Sequence, residues 1–377
     1  MKKILISTIL VLSLACSAFA FSWSGVVDNN SKMSANDDFS RLSLLQSNGL
    51  FLSATHNLTE TGNMRLAAEG MYKYFLNVDM KVNKTTFKNV ADLDLLKFSG
   101  DWMLGKGALS LSAGRYQFSD YSGSVFAQAS DGAYVSYNSL KVSADLYAGY
   151  TGLLNRLNVS MTENESKDDD QFYALCPGYV PLLADISYKA LFETNTVGLQ
   201  AACFLPVSEK NTMKAYATVI ANGYLGTIAS YDARFTAGTE KFESLMLDAK
   251  LDANIFILSS LMASLGCEYV SGEQGSIKPF LTISSRAFGS APVYNGVIVP
   301  KLGVMFASGN FYGSLTERAI ISMPKDEAKL HGFDTALSLA YKVFSDLLIG
   351  CDAGAYICTE TKELSNYSAT IKASLSF

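Results

Sequence analysis

Two histidines, His56 and His331, are the only imidazoles in the chain. A general base or an activated nucleophile most often needs such a ring within reach of a partner. His56 lies in Ala54-Thr55-His56-Asn57 and His331 in Leu330-His331-Gly332. Neither sits in a nucleophile or metal motif, and no G-x-S-x-G, H-E-x-x-H or phosphate-binding glycine loop is present. The sequence therefore reads as a non-enzyme without a cofactor. Cys176, Cys203, Cys267, Cys351 and Cys358 are scattered without metal-ligand spacing and read as small apolar fillers, with room for one disulfide in an oxidising compartment. Asp168-Asp169-Asp170, with Glu163 and Glu165, offers carboxylate oxygens but lacks the ordered spacing of a calcium loop, and reads as a solvated outer loop.

The remaining charges fall at alternate positions. Asp79 and Lys81, Lys141 and Asp145, Asp248, Lys250 and Asp252, and Lys372 all interrupt apolar runs with period two. Successive side chains of a strand point to opposite faces, so these groups share polar strand faces. An outward Lys at a bilayer midplane costs roughly 2–4 kcal/mol, so these groups must point inward or lie near an interface, and a water-filled lumen explains them most economically. Their mixed signs argue against a dedicated phosphate or anion channel.

The elements that carry these charges recur along the chain. Leu76, Val78, Met80 and Val82 alternate with Asn77, Asp79 and Lys81; Leu140 to Ala148 and Leu245 to Ile255 alternate likewise, as do Phe333 to Val343. The terminal segment has Tyr367, Ala369, Ile371, Ala373, Leu375 and Phe377 on one face and Ser, Thr or Lys between them. About ten residues of such alternation span a bilayer as a tilted strand. No segment has the roughly 18 consecutive apolar residues of a membrane helix. Only helices and closed barrels satisfy the backbone in lipid, so a membrane protein of this pattern is a barrel.

At the amino-terminus, Lys2-Lys3, an apolar run to Ala15 and Ser17-Ala18-Phe19-Ala20 form a signal peptide, with cleavage expected after Ala20. Cys16 offers a competing lipoprotein site. With Tyr and Phe at 20 and 22 against two Trp, aromatic girdles are expected. The net charge of −5 argues against a nucleic-acid partner. Ser47-Asn48-Gly49, Asn138-Ser139, Glu209-Lys210-Asn211, Ser308-Gly309-Asn310 and Ser345-Asp346 read as tight turns, and Tyr116 to Ser130, Gly152 to Gly178, Arg286 to Gly296 and Met323 to Lys329 as longer connections. The sequence thus predicts an all-β fold: residues 1–20 a signal peptide and 21–377 one transmembrane antiparallel up-and-down β-barrel of about 16–18 strands.

Ala113-Gly114-Arg115-Tyr116-Gln117-Phe118, followed through Asp120 by Asp131-Gly132-Ala133-Tyr134-Val135-Ser136-Tyr137, resembles a segment of bacterial outer-membrane porins and alginate-export-type channels. The terminal aromatic strand, Tyr367, Ile371, Ala373, Leu375 and Phe377, resembles the signal read by the barrel-assembly machinery. The resemblance implies an infolded loop, with Arg115 and Asp120 at a constriction and Asp131 at the loop's return. It also implies a channel for small hydrophilic solutes or ions in a membrane of outer-membrane lipids. Trimerisation is common among general porins, although no residue demands it. A fatty-acid-type transporter with an amino-terminal plug and a non-conducting surface or adhesin barrel are the alternatives; Phe21, Trp23, Gly25 and Val27, already strand-like, disfavour a sizeable plug.

Overall fold

The computed structural model describes residues 21–162, 173–192, 194–209, 211–323 and 327–377. The signal peptide, Cys16 and the Glu163–Asp170 cluster lie outside the described residues. Eighteen antiparallel strands follow one another round a closed sheet. They are β1 (Ser22–Asn36), β2 (Leu42–Asn57), β3 (Met64–Asp79), β4 (Lys84–Leu104), β5 (Gly107–Ser119) and β6 (Ala127–Ser139). Next come β7 (Val142–Tyr150), β8 (Tyr179–Leu191), β9 (Asn195–Pro206), β10 (Lys214–Leu225), β11 (Ala229–Glu240) and β12 (Met246–Leu258). The last six are β13 (Leu261–Val270), β14 (Val297–Ser308), β15 (Phe311–Ser322), β16 (Lys329–Lys342), β17 (Leu347–Cys358) and β18 (Asn366–Ser376).

Closure is made between β18 and β1, in register from Val26 against Ser376 to Asn36 against Asn366. Beyond that ladder the Gly25 amide donates to the Phe377 carbonyl at 2.8 Å and the Phe377 amide returns the bond to Gly25 at 2.9 Å. Gly25 has no Cβ, and the Phe377 ring lies over the space one would fill. Ile371, Leu375 and Phe377 are 63%, 42% and 65% exposed on the outer face, with Ala373 and Tyr367 on the same side of the strand. The terminal aromatic strand is therefore the closing seam. With β18 paired to β1, no strand of the sheet is left as a free edge.

Short and long connections separate to opposite ends. At the end that holds the chain termini, connections such as 105–106, 140–141, 259–260 and 309–310 are two residues long. The other end carries the long connections, 151–178 and 271–296. Outer-membrane barrels have short periplasmic turns and longer extracellular loops, which sets the orientation.

Three sequence expectations need correction. Asp79 ends β3, and its carboxylate accepts the Lys81 amide at 2.9 Å, so Asp79 and Lys81 build the β3–β4 turn instead of facing the lumen from mid-strand. Lys141 lies in the two-residue turn between β6 and β7. Alternation runs through both reversals because a turn can preserve period two by chance of composition. Conversely, Ser47-Asn48-Gly49 is strand, inside β2, where Asn48 bonds Asn29 across the ladder.

β5 parts from β4 at one residue. Leu96 to Leu104 of β4 pair with Gly107 to Arg115, while Lys84 to Leu95 pair with β3 alone. Gly114 stands at this point with φ of +120°, its α-carbon pressed on the Leu96 carbonyl so that a Cβ would overlap it. Only glycine takes this conformation without strain. Gly114→Ala is expected to destabilise the folded barrel by about 1–3 kcal/mol, read as a lower temperature for loss of the compact, heat-modifiable band on unboiled gels.

Candidate functional site

The lumen is narrowed by three connections that enter it from the long-loop end. The first, residues 120–126, is folded by Asp120. Its carboxylate accepts the Ser122 amide at 2.9 Å, the Phe126 amide at 2.8 Å, and the Ser122 hydroxyl. Burial pushes the Asp120 carboxyl above its ordinary range, and the hydrogen bonds from Ser122 and Phe126 work against that rise. The outcome is a tight loop whose tip, Val125-Phe126, is buried.

That tip meets an aromatic row on the inner wall. Phe126 packs on Phe204 with ring centroids 5.5 Å apart, Phe204 on Tyr216 at 5.9 Å, and Tyr216 on Phe280 at 5.8 Å. Polar ties fix the loop's lateral position. The Tyr121 hydroxyl donates to Asp185 at 2.5 Å, the Tyr121 amide to Gln200 at 2.9 Å, and Arg234 donates to the Ser122 carbonyl at 2.7 Å. Burial and the Asp185 carboxylate both push the Tyr121 hydroxyl's pKa up, so it stays a donor.

The second connection, 271–296, crosses beneath. Ile283 and Ser284 donate their amides to the Val125 carbonyl at 2.9 and 3.0 Å. Arg286 donates to Asp248 at 2.5 Å and to Glu268. Further along, the Ser290 amide donates to Asp334 at 2.7 Å, and Arg318 donates to the same carboxylate at 2.7 Å. The third, 151–162, joins edge to edge: Thr162 donates its amide to Ile283 at 3.0 Å and Ser285 to Ser160 at 3.0 Å. Cys176, shortly before β8, is buried, and burial pushes its thiol up to about 12. All five cysteines of the described residues are free thiols, so the optional disulfide is not formed.

Beside this crossing lies a cavity of about 340 Å³ lined by Ser122, Arg234, Lys250, Asp252, Arg286, Lys301 and Arg318 among others. Lys250 and Lys301 share Asp252 at 3.3 and 2.7 Å. Asp248 and Asp334, only 3% and 1% exposed, sit behind Arg286 and Arg318 and do not line the space. Five cations and two carboxylates, Asp252 and Glu268, thus face it. Further round the wall, Asp145 and Asp185 are register partners on the adjacent strands β7 and β8, and Tyr121 reaches Asp185.

Of the residues the sequence singled out, Asp145, Asp248, Lys250 and Asp252 face inward, and Asp120 shapes the first loop. Lys372 also faces inward, paired with Asp352. Arg115 has a different place. Its guanidinium sits in the gap where β4 and β5 part and uses all its donors. Nε and Nη2 grip Asp131 at 2.8 Å each, Nη1 meets Asp92 at 3.3 Å and the Leu93 carbonyl at 3.2 Å, and Nη2 also meets the Leu153 carbonyl at 2.9 Å. A planar fork suits such bidentate pairing. It replaces the missing β4–β5 ladder and straps the 151–162 connection to the wall. Arg234, Arg286, Lys301, Arg318 and Tyr121 escaped the sequence reading. Extending alternation outward from Asp248 through β14 and β15 would have found Lys301 and Arg318; nothing local marks Arg286, which acts from a loop. His331 pairs with the Tyr356 hydroxyl inside the wall, and His56 packs on the Phe21 ring at 5.0 Å.

No protein-family model and no curated protein matches the sequence. The fold has solved likenesses. OccK7 (OpdD) of Pseudomonas aeruginosa superposes with a TM-score of 0.65 at 11% identity, over 95% of this chain and 99% of that one. OccAB4 of Acinetobacter baumannii gives 0.60 at 12% identity, over 95% and 98%. OpdK of Pseudomonas aeruginosa, solved with vanillate, gives 0.60 at 10%, over 94% and 98%. These are outer-membrane porins, and the closed 18-stranded antiparallel barrel is the fold this chain shares with them.

Arg115 and Asp120 are expected to separate on mutation. Arg115→Ala strands the 3%-exposed Asp92 side chain and should cost about 3 kcal/mol of stability with single-channel current nearly unchanged. Asp120→Ala should leave the barrel folded but raise conductance and current noise, because loop 120–126 loses the acceptor that organises it.

Proposed function

We propose that the protein is an outer-membrane channel through which small hydrophilic solutes and ions diffuse passively, with anions favoured at the constriction. The carrying observation is the cavity beside the loop crossing, where Arg234, Lys250, Arg286, Lys301 and Arg318 face the passage while most of their carboxylate partners stand behind them. Rings of charged side chains set selectivity in pores. Mobile anions gain from that potential and hydrated neutral solutes pass by size. The net charge of the whole chain points the other way, but it counts exposed acids such as Asp38, Glu360 and Glu363 in connections between strands, and screening confines the effect of exposed charges to about 8 Å at physiological salt.

Outer-membrane lipids form the solvent of the outer face, and the barrel-assembly machinery reads the terminal Tyr367–Phe377 strand. A fatty-acid-type transporter is disfavoured because, among the described residues, the chain enters the wall from Ser22 and the lumen is narrowed by connections between strands. That OpdK was solved with vanillate, an organic anion, fits the same reading.

The test is single-channel recording of the refolded mature chain across a salt gradient. Ohmic steps with a reversal potential on the anion side are expected, and Arg234→Ala with Lys301→Ala should move that potential toward cations. Absence of steps from a barrel shown to be folded by heat-modifiable mobility would overturn the reading in favour of a sealed surface barrel.

A further inference from the structure

Every strand has a neighbour on each side, yet β4 outruns one of its own. From Lys84 to Leu95 it pairs with β3 alone, because β5 turns away at Gly114. The Met80 amide donates to the Leu42 carbonyl at 2.9 Å, which turns the even-numbered residues at the top of β3 toward β2 and the odd ones toward β4. Asn77, Phe75 and Lys73 therefore bond Thr86, Lys88 and Val90. Bonding alternates along an antiparallel ladder, so Thr85, Phe87, Asn89, Ala91 and Leu93 aim their main-chain groups into the gap.

The lower part of this edge is covered. Arg115 donates to the Leu93 carbonyl at 3.2 Å, and the Asn155 side chain donates to the Ala91 carbonyl at 3.4 Å. Above them, no described residue bonds the main chain of Thr85, Phe87 or Asn89 on the open side. A row of unpaired amides and carbonyls is a template for another extended chain.

The open part stands clear of lipid. Phe87 lies about 15 residues above Trp102, at the foot of the same strand. At about 3.3 Å per residue and a tilt near 40°, that is roughly 35 Å, beyond an apolar band about 25 Å tall. Lys84, Thr85, Thr86 and Asn89 are exposed, as a segment in water should be. The edge therefore faces the medium outside the cell.

Its geometry and charge specify the occupant. Amides and carbonyls at strand spacing are matched by an extended polypeptide, which adds to the sheet as a further strand. The side chains on the two faces then select its sequence. Lys84, Thr86 and Lys88 lie in phase with the fully buried Val90, on the inner face. Phe87, 63% exposed, and Asn89 lie on the outer face beside Tyr74 and Tyr72. Neither Lys84 nor Lys88 forms an ion pair among the described residues, and the nearby Asp79 carboxylate is engaged by the Lys81 and Val82 amides. A second copy of the edge would set lysines against lysines, the arrangement that natural edges use to bar self-pairing. Carboxylates at alternate positions of the incoming strand would meet these ammonium groups instead.

We propose that the upper edge of β4, Thr85 to Asn89, is a docking site for an extended acidic peptide segment of an external partner, with carboxylates set against Lys84 and Lys88 and apolar side chains beside Phe87. The site is independent of whether the barrel conducts. The test uses the full chain in lipid discs and a dye-labelled peptide built on Glu-Val-Thr-Val-Glu, followed by fluorescence anisotropy. The peptide should bind, and its counterpart with Lys in place of Glu should bind about tenfold more weakly or worse. Phe87→Pro removes an amide that faces the gap and no bond to β3, so it should weaken binding about tenfold with heat-modifiable mobility unchanged. Phe87→Val keeps the amide and should bind as the wild type does. In the wild-type chain, hydrogen exchange of the Thr85, Phe87 and Asn89 amides should slow when the acidic peptide is added. No binding of the acidic peptide, equal binding of the two peptides, or binding that leaves those amides unprotected would each overturn the proposal. A dimer that protects the same amides without peptide would overturn it in favour of a second copy.

Discussion

Every amide and carbonyl in the wall must find its partner within the protein, because lipid offers none. From that requirement come the closed ladder of 18 strands, the seam at Gly25 and Phe377, and the use of two-residue turns at the end bearing the termini. Where the ladder fails, something must replace it. Between β4 and β5 the replacement is Arg115, which donates to the Leu93 carbonyl in place of a strand amide and binds Asp131 and Asp92 to hold itself there. Gly114 makes the failure tolerable and Arg115 repairs it, so adjacent residues form one device.

Satisfying the wall leaves the lumen as a second problem. A cylinder of this strand number is too wide to be filled by strand side chains alone. Three connections therefore fold inward and meet, with a small hydrophobic core of their own along Phe126, Phe204, Tyr216 and Phe280. The polar margins of that core form the passage. Buried carboxylates such as Asp248 and Asp334 anchor cations that then project into water. On the proposed channel reading, selectivity follows from how the loops are tethered: the same ion pairs that hold the 271–296 connection in place orient its charge and that of the wall.

The barrel was legible in the sequence because period two survives in single strands such as Leu247 to Ile255, and because a lipid-facing strand tolerates few exceptions. The terminal strand was legible for the same reason. Asp79, Lys81 and Lys141 were misplaced because alternation cannot distinguish the last rung of a strand from the turn after it. The Gly114–Asp131 segment was visible as a motif, yet its part in the fold depends on where β4 stops pairing, a relation between strands that no local pattern carries. Most of the passage was hidden. Arg234, Lys301 and Arg318 come from three different strands and Arg286 from a loop, and only the folded crossing brings them to one cavity.

On the proposed channel reading, the three crossed connections narrow the lumen without sealing it. Liposomes carrying the refolded chain, challenged with neutral polyols and sugars of graded size, test this directly. Swelling with glycerol and small polyols that falls away steeply toward trisaccharides is the predicted result. Equal rates for all sizes would mean that the connections do not constrict the barrel, and no swelling for any would mean that they close it.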